Sequence, residues 1–158
     1  MLNENTKRAA EILGNLANNK TVTSLIEELK SELQSSPEQF VWKTINEHLA
    51  EQELESEFKS AWMFILRKNT PSEAHYHPNS TQYTAVIDGE GNFDLDGVKI
   101  SLQKFNPMLP ETLFVINKGK PHEFFPGNKD LVVLSLHTVT EDELIEINCS
   151  QGKERKYE

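Results

Sequence analysis

The most informative stretch of this 158-residue sequence is HYHPNSTQ, residues 75–82. His75 and His77 are separated by one residue, and on a β-strand two such side chains point to the same face. Two imidazoles on one face can bind the same metal ion. Residues 78–80 then predict a turn because Pro, Asn and Ser are typical turn residues. Gln82 can therefore return to the same end of the neighbouring strand.

A third histidine lies 45 residues after His77, at His122. It follows NKGKP, residues 117–121, whose glycine and proline predict a turn that places His122 at the start of a strand. The sequence therefore predicts one divalent transition metal bound by three histidines, with Gln82 as the fourth candidate ligand. Imidazole ligands suit Fe, Ni, Cu, Zn or Co, with Mn also possible, and the sequence does not choose among them.

Short apolar blocks separated by turn residues surround this motif, and they predict a mainly β fold. Asp88-Gly89 and Asp96-Gly97 are hairpin signals. About eight strands are enough to close a small barrel or jelly roll. The predicted strands cover residues 60–68, 74–77, 81–88, 91–95, 98–105, 112–116, 121–125 and 131–139.

The two histidine-bearing segments resemble the two motifs of the cupin superfamily. Residues 75–89 read HxH, four residues, Gln, six residues, Gly, and residues 117–122 read NxGxxH. The resemblance covers roughly residues 60–139. It implies a cupin-type double-stranded β-helix, a jelly-roll barrel, with one divalent metal inside. It matches the three histidine ligands to His75, His77 and His122, and the usual Glu ligand to Gln82.

The amide at Gln82 changes the expected charge of the site. A glutamate ligand is anionic, whereas a glutamine offers a neutral carbonyl oxygen. A three-His, one-Gln site would leave the metal's charge uncompensated, which favours Lewis acidity and an anionic substrate and weakens metal binding. In the alternative, Gln82 does not bind the metal and the site is a three-His centre with open positions.

The first part of the chain has a helical spacing of apolar residues, which predicts about three α-helices. Residues 4–18 form the first, and Ser24 with Glu27 has the capping-box spacing for the start of the second. Ser36-Pro37 predicts the start of a third, with Val41, Ile45 and Leu49 as its buried stripe. The predicted organisation is a helical segment over 1–57 that packs on the barrel or in a dimer interface, a barrel over 58–140 and a polar tail over 141–158.

Composition limits the partners. The formal net charge of -9 disfavours nucleic acid and anionic membranes. The N-terminus lacks the pattern of a signal peptide. With one cysteine, Cys149, no internal disulfide can form, so we expect a cytoplasmic protein.

The resemblance also implies a function. We expect a small-molecule metalloenzyme of dioxygenase type, and a homodimer. One alternative is a redox-neutral isomerase or lyase acting on a sugar acid or similar anion, and another is a non-catalytic ligand- or metal-binding module. Phe124 is expected in the pocket wall, and His137 either packs in the core or acts as an acid or base. Arg67 either binds a substrate carboxylate or is an exposed strand-end residue.

Overall fold

The computed structural model describes residues 3–54 and 56–157, which form two antiparallel β-sheets and three helices. In spatial order, sheet one contains β1 (Phe40–Thr44), β2 (Ser60–Leu66), β9 (Leu131–His137), β4 (Gln82–Asp88) and β7 (Phe114–Ile116). Sheet two contains β11 (Glu154–Arg155), β10 (Glu146–Asn148), β3 (His75–Tyr76), β8 (His122–Pro126), β5 (Gly91–Leu95) and β6 (Val98–Ser101). The predicted mainly β jelly roll preceded by helices is confirmed.

Two amphipathic helices precede the sheets, α1 (Glu4–Ala17) and α2 (Lys20–Gln34). The side-chain oxygen of Asn19 accepts hydrogen bonds from the backbone N–H groups of Thr21 and Val22, at 2.9 and 3.1 Å. This cap starts α2 at Lys20, so the predicted start at Ser24 is wrong. Within the described ranges, every helix is too short or too polar to span a membrane.

The predicted third helix over residues 36–49 is also wrong, because this segment contains strand β1. Its residues Phe-Val-Trp-Lys-Thr favour a strand, and they pair with β2 in unbroken register from Phe40 opposite Leu66 to Thr44 opposite Trp62. Val41, Ile45 and Leu49 are buried as predicted. The four-residue spacing of these apolar side chains is therefore also compatible with a strand followed by a short 3-10 turn. A four-residue helix, α3 (Glu51–Leu54), follows.

The helices cover the outer face of sheet one. Apolar residues of α1 and α2, such as Leu13 and Leu29, share a buried cluster with Met63, Ala85 and Leu134 of the sheet. A second cluster, which includes Val86, Phe93 and Val133, fills the space between the sheets. Each fully buried aliphatic side chain contributes about 1.5–3 kcal/mol. With both faces covered, all seven residues of β9 are buried, and the barrel has a rigid base for the site.

The segment after residue 140, expected as a polar tail, supplies two strands of sheet two. β10 pairs with β3, with Asn148 opposite His75, and β11 pairs with β10. Leu144 and Tyr157 are buried against Trp62. The end of the chain therefore lies beside the histidine motif and forms part of the barrel mouth.

Candidate metal centre

The three predicted histidine ligands converge at one end of sheet two. His75 lies on β3 directly opposite His122, the first residue of β8, and His77 follows β3 on the same face. Their ligand nitrogens all lie within 4.8 Å of one another. Strand parity and pairing therefore bring the three imidazoles together, as the spacing predicted.

Each of these imidazoles donates its Nδ1 proton to a backbone carbonyl oxygen. The acceptors are Glu73 for His75, Ile145 for His77 and Lys120 for His122, at 3.1, 3.0 and 3.0 Å. A carbonyl only accepts, so each ring carries a proton on Nδ1, and in the neutral ring Nε2 keeps its lone pair. The Nε2 of His122 is buried and has no hydrogen-bond partner. Such an unpaired buried atom fits a site built for a metal ion.

Burial disfavours the charged form of two of these rings, His77 and His122. Burial, and then the nearby His75, lowers the pKa of His77 to about 4. The same two causes lower the pKa of His122 well below its ordinary value. Neutral imidazole is the form that binds metals, so near pH 7 no proton competes for the nitrogens of His77 and His122.

Gln82 begins β4 and is buried at the same end of the barrel. Its Nε2 donates to the Thr84 hydroxyl at 2.9 Å, and its side chain also lies within hydrogen-bonding reach of the His77 ring. Its Oε1 is the atom of the amide that could bind a cation. Direct ligation by Gln82 stays a prediction.

His75 and His77 open onto a cavity of about 50 Å³. Its lining combines an apolar side with polar groups that belong to both sheets. The apolar lining residues are Phe40, Phe64, Leu66, Phe124, Val133 and Leu144. A wider basin of about 400 Å³ adjoins the cavity and shares His75, Glu146 and Arg155 with it. The basin gives the cavity a route to solvent.

Two groups of residues lie around this cavity. We call His75, His77, Gln82 and His122 the histidine wall, and Leu144, Glu146, Arg155 and Tyr157 the C-terminal wall. Sequence reasoning missed the C-terminal wall because its residues lie in a segment that looks solvated. The available signal was the apolar Leu144, Ile145 and Ile147, with an aromatic residue at 157.

The carboxylate of Glu146 is the centre of the C-terminal wall. Tyr157 donates its hydroxyl proton to Glu146 Oε1, and the same oxygen lies 3.5 Å from His75 Nε2. Arg155 Nη1 lies 3.5 Å from Glu146 Oε2. Burial, and next the charge of Glu146, raises the pKa of Tyr157. The tyrosine therefore stays protonated and keeps donating.

Of the other residues that the sequence singled out, Phe124 and His137 border the cavity, whereas Arg67 lies elsewhere. Phe124 lines the cavity, as predicted. His137 is buried yet also borders the cavity, with its Nδ1 2.8 Å from the Ser80 hydroxyl. Burial, and then His77, lowers the pKa of His137 well below its ordinary value. Arg67 is structural, since its guanidinium donates to backbone carbonyls of residues 33, 36 and 38 at the end of α2.

The fold and the site together define a small jelly-roll domain with a histidine-rich centre at one end. Residues 62–137 match the family model described as the cupin domain. This matched stretch contains both histidine motifs, and over it the chain is similar to the cupin domain. A search of curated proteins finds no match.

Several solved structures share this fold at low sequence identity. KdgF from Halomonas sp. has a TM-score of 0.51 at 17% identity, with 68% of this chain and 87% of that chain covered. A putative sugar phosphate isomerase from Acidithiobacillus ferrooxidans has a TM-score of 0.53 at 14% identity, with 78% and 81% covered. The vicilin of hazelnut, Corylus avellana, has a TM-score of 0.56 at 16% identity, with 72% and 33% covered. The chain thus spans a third of that vicilin, and the likeness concerns the fold.

Proposed function

We propose that this protein is a mononuclear metal-dependent enzyme that acts on a small molecule in the cavity beside His75, His77 and His122. The observation that carries the proposal is the state of the three imidazoles. Each has its proton fixed on Nδ1 by a backbone carbonyl, and the buried Nε2 of His122 has no partner. A bound divalent metal would supply a Lewis acid or, for iron, a redox centre.

Within this class, we favour oxygen-dependent chemistry of dioxygenase type. Six of the described cavity-lining residues are apolar, among them Phe64 and Phe124. An apolar wall suits dioxygen and the hydrocarbon body of a substrate. It offers few hydrogen bonds to a polyhydroxylated sugar acid, which would leave hydroxyl groups unpaired on burial.

A redox-neutral isomerase or lyase is the second candidate, and the opposite side of the cavity supports it. His137 with its Ser80 contact, and Glu146 with its Tyr157 contact, place polar groups around the same space. Such groups could bind the oxygens of a small anion while the metal polarises it. A non-catalytic binding module, the homodimer and the cytoplasmic location stay predictions.

Metal content and oxygen uptake test the proposal. The protein is purified without chelator, its bound metal is measured, and the Fe(II)-loaded form is placed in an oxygen electrode with small carboxylates and thiols. We expect about one metal per chain, substrate-dependent oxygen uptake, and loss of both in His77→Ala. The matched control is His48→Ala, which removes a histidine from the 3-10 turn after β1.

The outcomes separate the candidates. If the protein binds metal and converts a sugar acid without taking up oxygen, the isomerase or lyase replaces the dioxygenase as the proposed function. Metal without any turnover would leave a binding module. A wild-type protein that binds no added metal, with no change in His77→Ala, would overturn the metal centre itself.

A further inference from the structure

Glu146 is a buried carboxylate that faces the metal centre from the C-terminal wall. It is 8% exposed and begins β10, which pairs with β3 so that Asn148 lies opposite His75. Residues 146 and 148 share one face of β10, so the Glu146 side chain lies on the same side of sheet two as the histidines. Among the described residues that line the cavity, it is the acidic one.

Several contacts hold this carboxylate in place. Oε1 accepts the hydroxyl proton of Tyr157, whose ring packs edge-on against Trp42 and Trp62 with centroids 5.1 and 5.5 Å away. Oε2 is paired with Arg155 at 3.5 Å. A buried charge is costly unless its oxygens have partners. Tyr157 and Arg155 therefore hold the Glu146 carboxylate 3.5 Å from His75 Nε2.

The histidine wall lacks such a charge. Imidazole and amide side chains carry no negative charge, so the group contains no anion to offset a divalent ion. We propose that Glu146 supplies this missing negative charge and thereby raises the affinity of the histidine wall for a divalent metal. The inference rests on the metal centre of the proposed function.

The position of Glu146 indicates how it acts. The nitrogens of His75, His77 and His122 form the group whose members all lie within 4.8 Å of one another, and Glu146 is not part of that group. Its carboxylate approaches the histidine wall on the side of His75. Glu146 would therefore act through its charge rather than as a member of the ligand group.

Calorimetric titration of the EDTA-stripped full chain with Zn²⁺ tests this inference. Glu146→Gln keeps the shape of the side chain and removes the charge. We expect it to weaken Zn²⁺ binding at least about tenfold, the scale on which groups around a metal's ligands act. The matched control is Glu154→Gln, which removes the same charge from an exposed position on β11 and should change affinity by less than about twofold.

A second variant moves the charge to the histidine wall. In Gln82→Glu/Glu146→Gln, a carboxylate occupies position 82, and we expect most of the lost affinity to return. Thermal unfolding without metal checks that each variant folds. If Glu146→Gln does not fold, Tyr157→Phe decides, since it keeps the charge but releases Oε1 from its donor. We expect Tyr157→Phe to weaken Zn²⁺ binding about threefold.

The results distinguish this inference from the metal centre. If wild type and Glu146→Gln both bind Zn²⁺ tightly and with equal affinity, the role of Glu146 is overturned and the metal centre is not. If Glu146→Gln does not fold, an unchanged Zn²⁺ affinity in Tyr157→Phe overturns the role of Glu146. Wild type that binds no Zn²⁺ overturns the metal centre and this inference together.

Discussion

The cavity has two polar walls that are fixed by different kinds of contact. In the histidine wall, His75 and His122 each bond the carbonyl two residues before them in the chain, Glu73 and Lys120. In the C-terminal wall, Glu146 depends on Tyr157, which packs against the distant Trp62. The first wall is held largely by its own motifs, and the second by the assembled barrel.

This difference assigns separate roles to the two walls. The histidine wall carries the ligand atoms, so its substitution should act first on metal binding. The C-terminal wall closes the barrel mouth with a buried aromatic side chain, so its substitution should act first on stability. Variants in each wall, measured by both properties, test this separation.

The largest effect is expected in the histidine wall. His122→Ala removes a ligand nitrogen, and we expect the Zn²⁺ affinity measured by calorimetry to fall more than about a hundredfold. Structural zinc sites bind with roughly 10–16 kcal/mol, so one of four ligands accounts for about 3 kcal/mol or more. His48→Ala is the control, because it also removes a histidine but one outside the convergent group. A loss of less than tenfold would show that His122 is not a ligand.

The next effect is expected in the C-terminal wall. Tyr157→Ala removes a buried ring from the cluster with Trp62 and Leu144, and we expect the free energy of unfolding in urea to fall by about 3 kcal/mol. Tyr157→Phe keeps the ring and loses one hydrogen bond, for about 1 kcal/mol. An unchanged free energy of unfolding in Tyr157→Ala would show that the end of the chain does not pack on the barrel in solution.

The contrast between the walls also explains what the sequence could reveal. The histidine wall follows from a two-residue strand period, a turn and one more turn-delivered histidine, all local signals. Glu146 lies among acidic residues, and only the pairing of β10 with β3 distinguishes it from its solvated neighbours. No short-range pattern contains that pairing.

The N-terminal half shows the same limit. The strands that carry the motif lie close to their predicted positions because alternation and hairpin glycines mark them. Residues 40–44 were predicted as helix because Val41, Ile45 and Leu49 repeat every four residues. The predicted burial of these three residues is confirmed. Residues 40–44 form a strand instead of a helix because they pair with the edge of β2. Long-range strand pairing therefore outweighed the local spacing.

The smallest effect concerns acid sensitivity, which should belong to the histidine wall. Burial lowers the pKa of His77 from its ordinary value to about 4, so the unfolded chain takes up a proton near pH 6.5 that the folded chain refuses. Stability is therefore complete above about pH 6.5 and declines as the pH falls toward 4. Linkage gives about 1.4 kcal/mol per pH unit for such a histidine.

His77→Asn isolates this contribution, since asparagine has an N–H that can still donate to the Ile145 carbonyl but has no basic nitrogen. Between pH 6.5 and 4.5, the metal-free variant should lose stability less steeply than wild type by about 1.4 kcal/mol per pH unit. Tyr157→Phe should lower the whole curve without changing its slope, because burial raises the pKa of Tyr157 and keeps it protonated throughout. Equal slopes in wild type and His77→Asn would mean that His77 is not held neutral in the fold, and the two walls would then not differ in their response to acid.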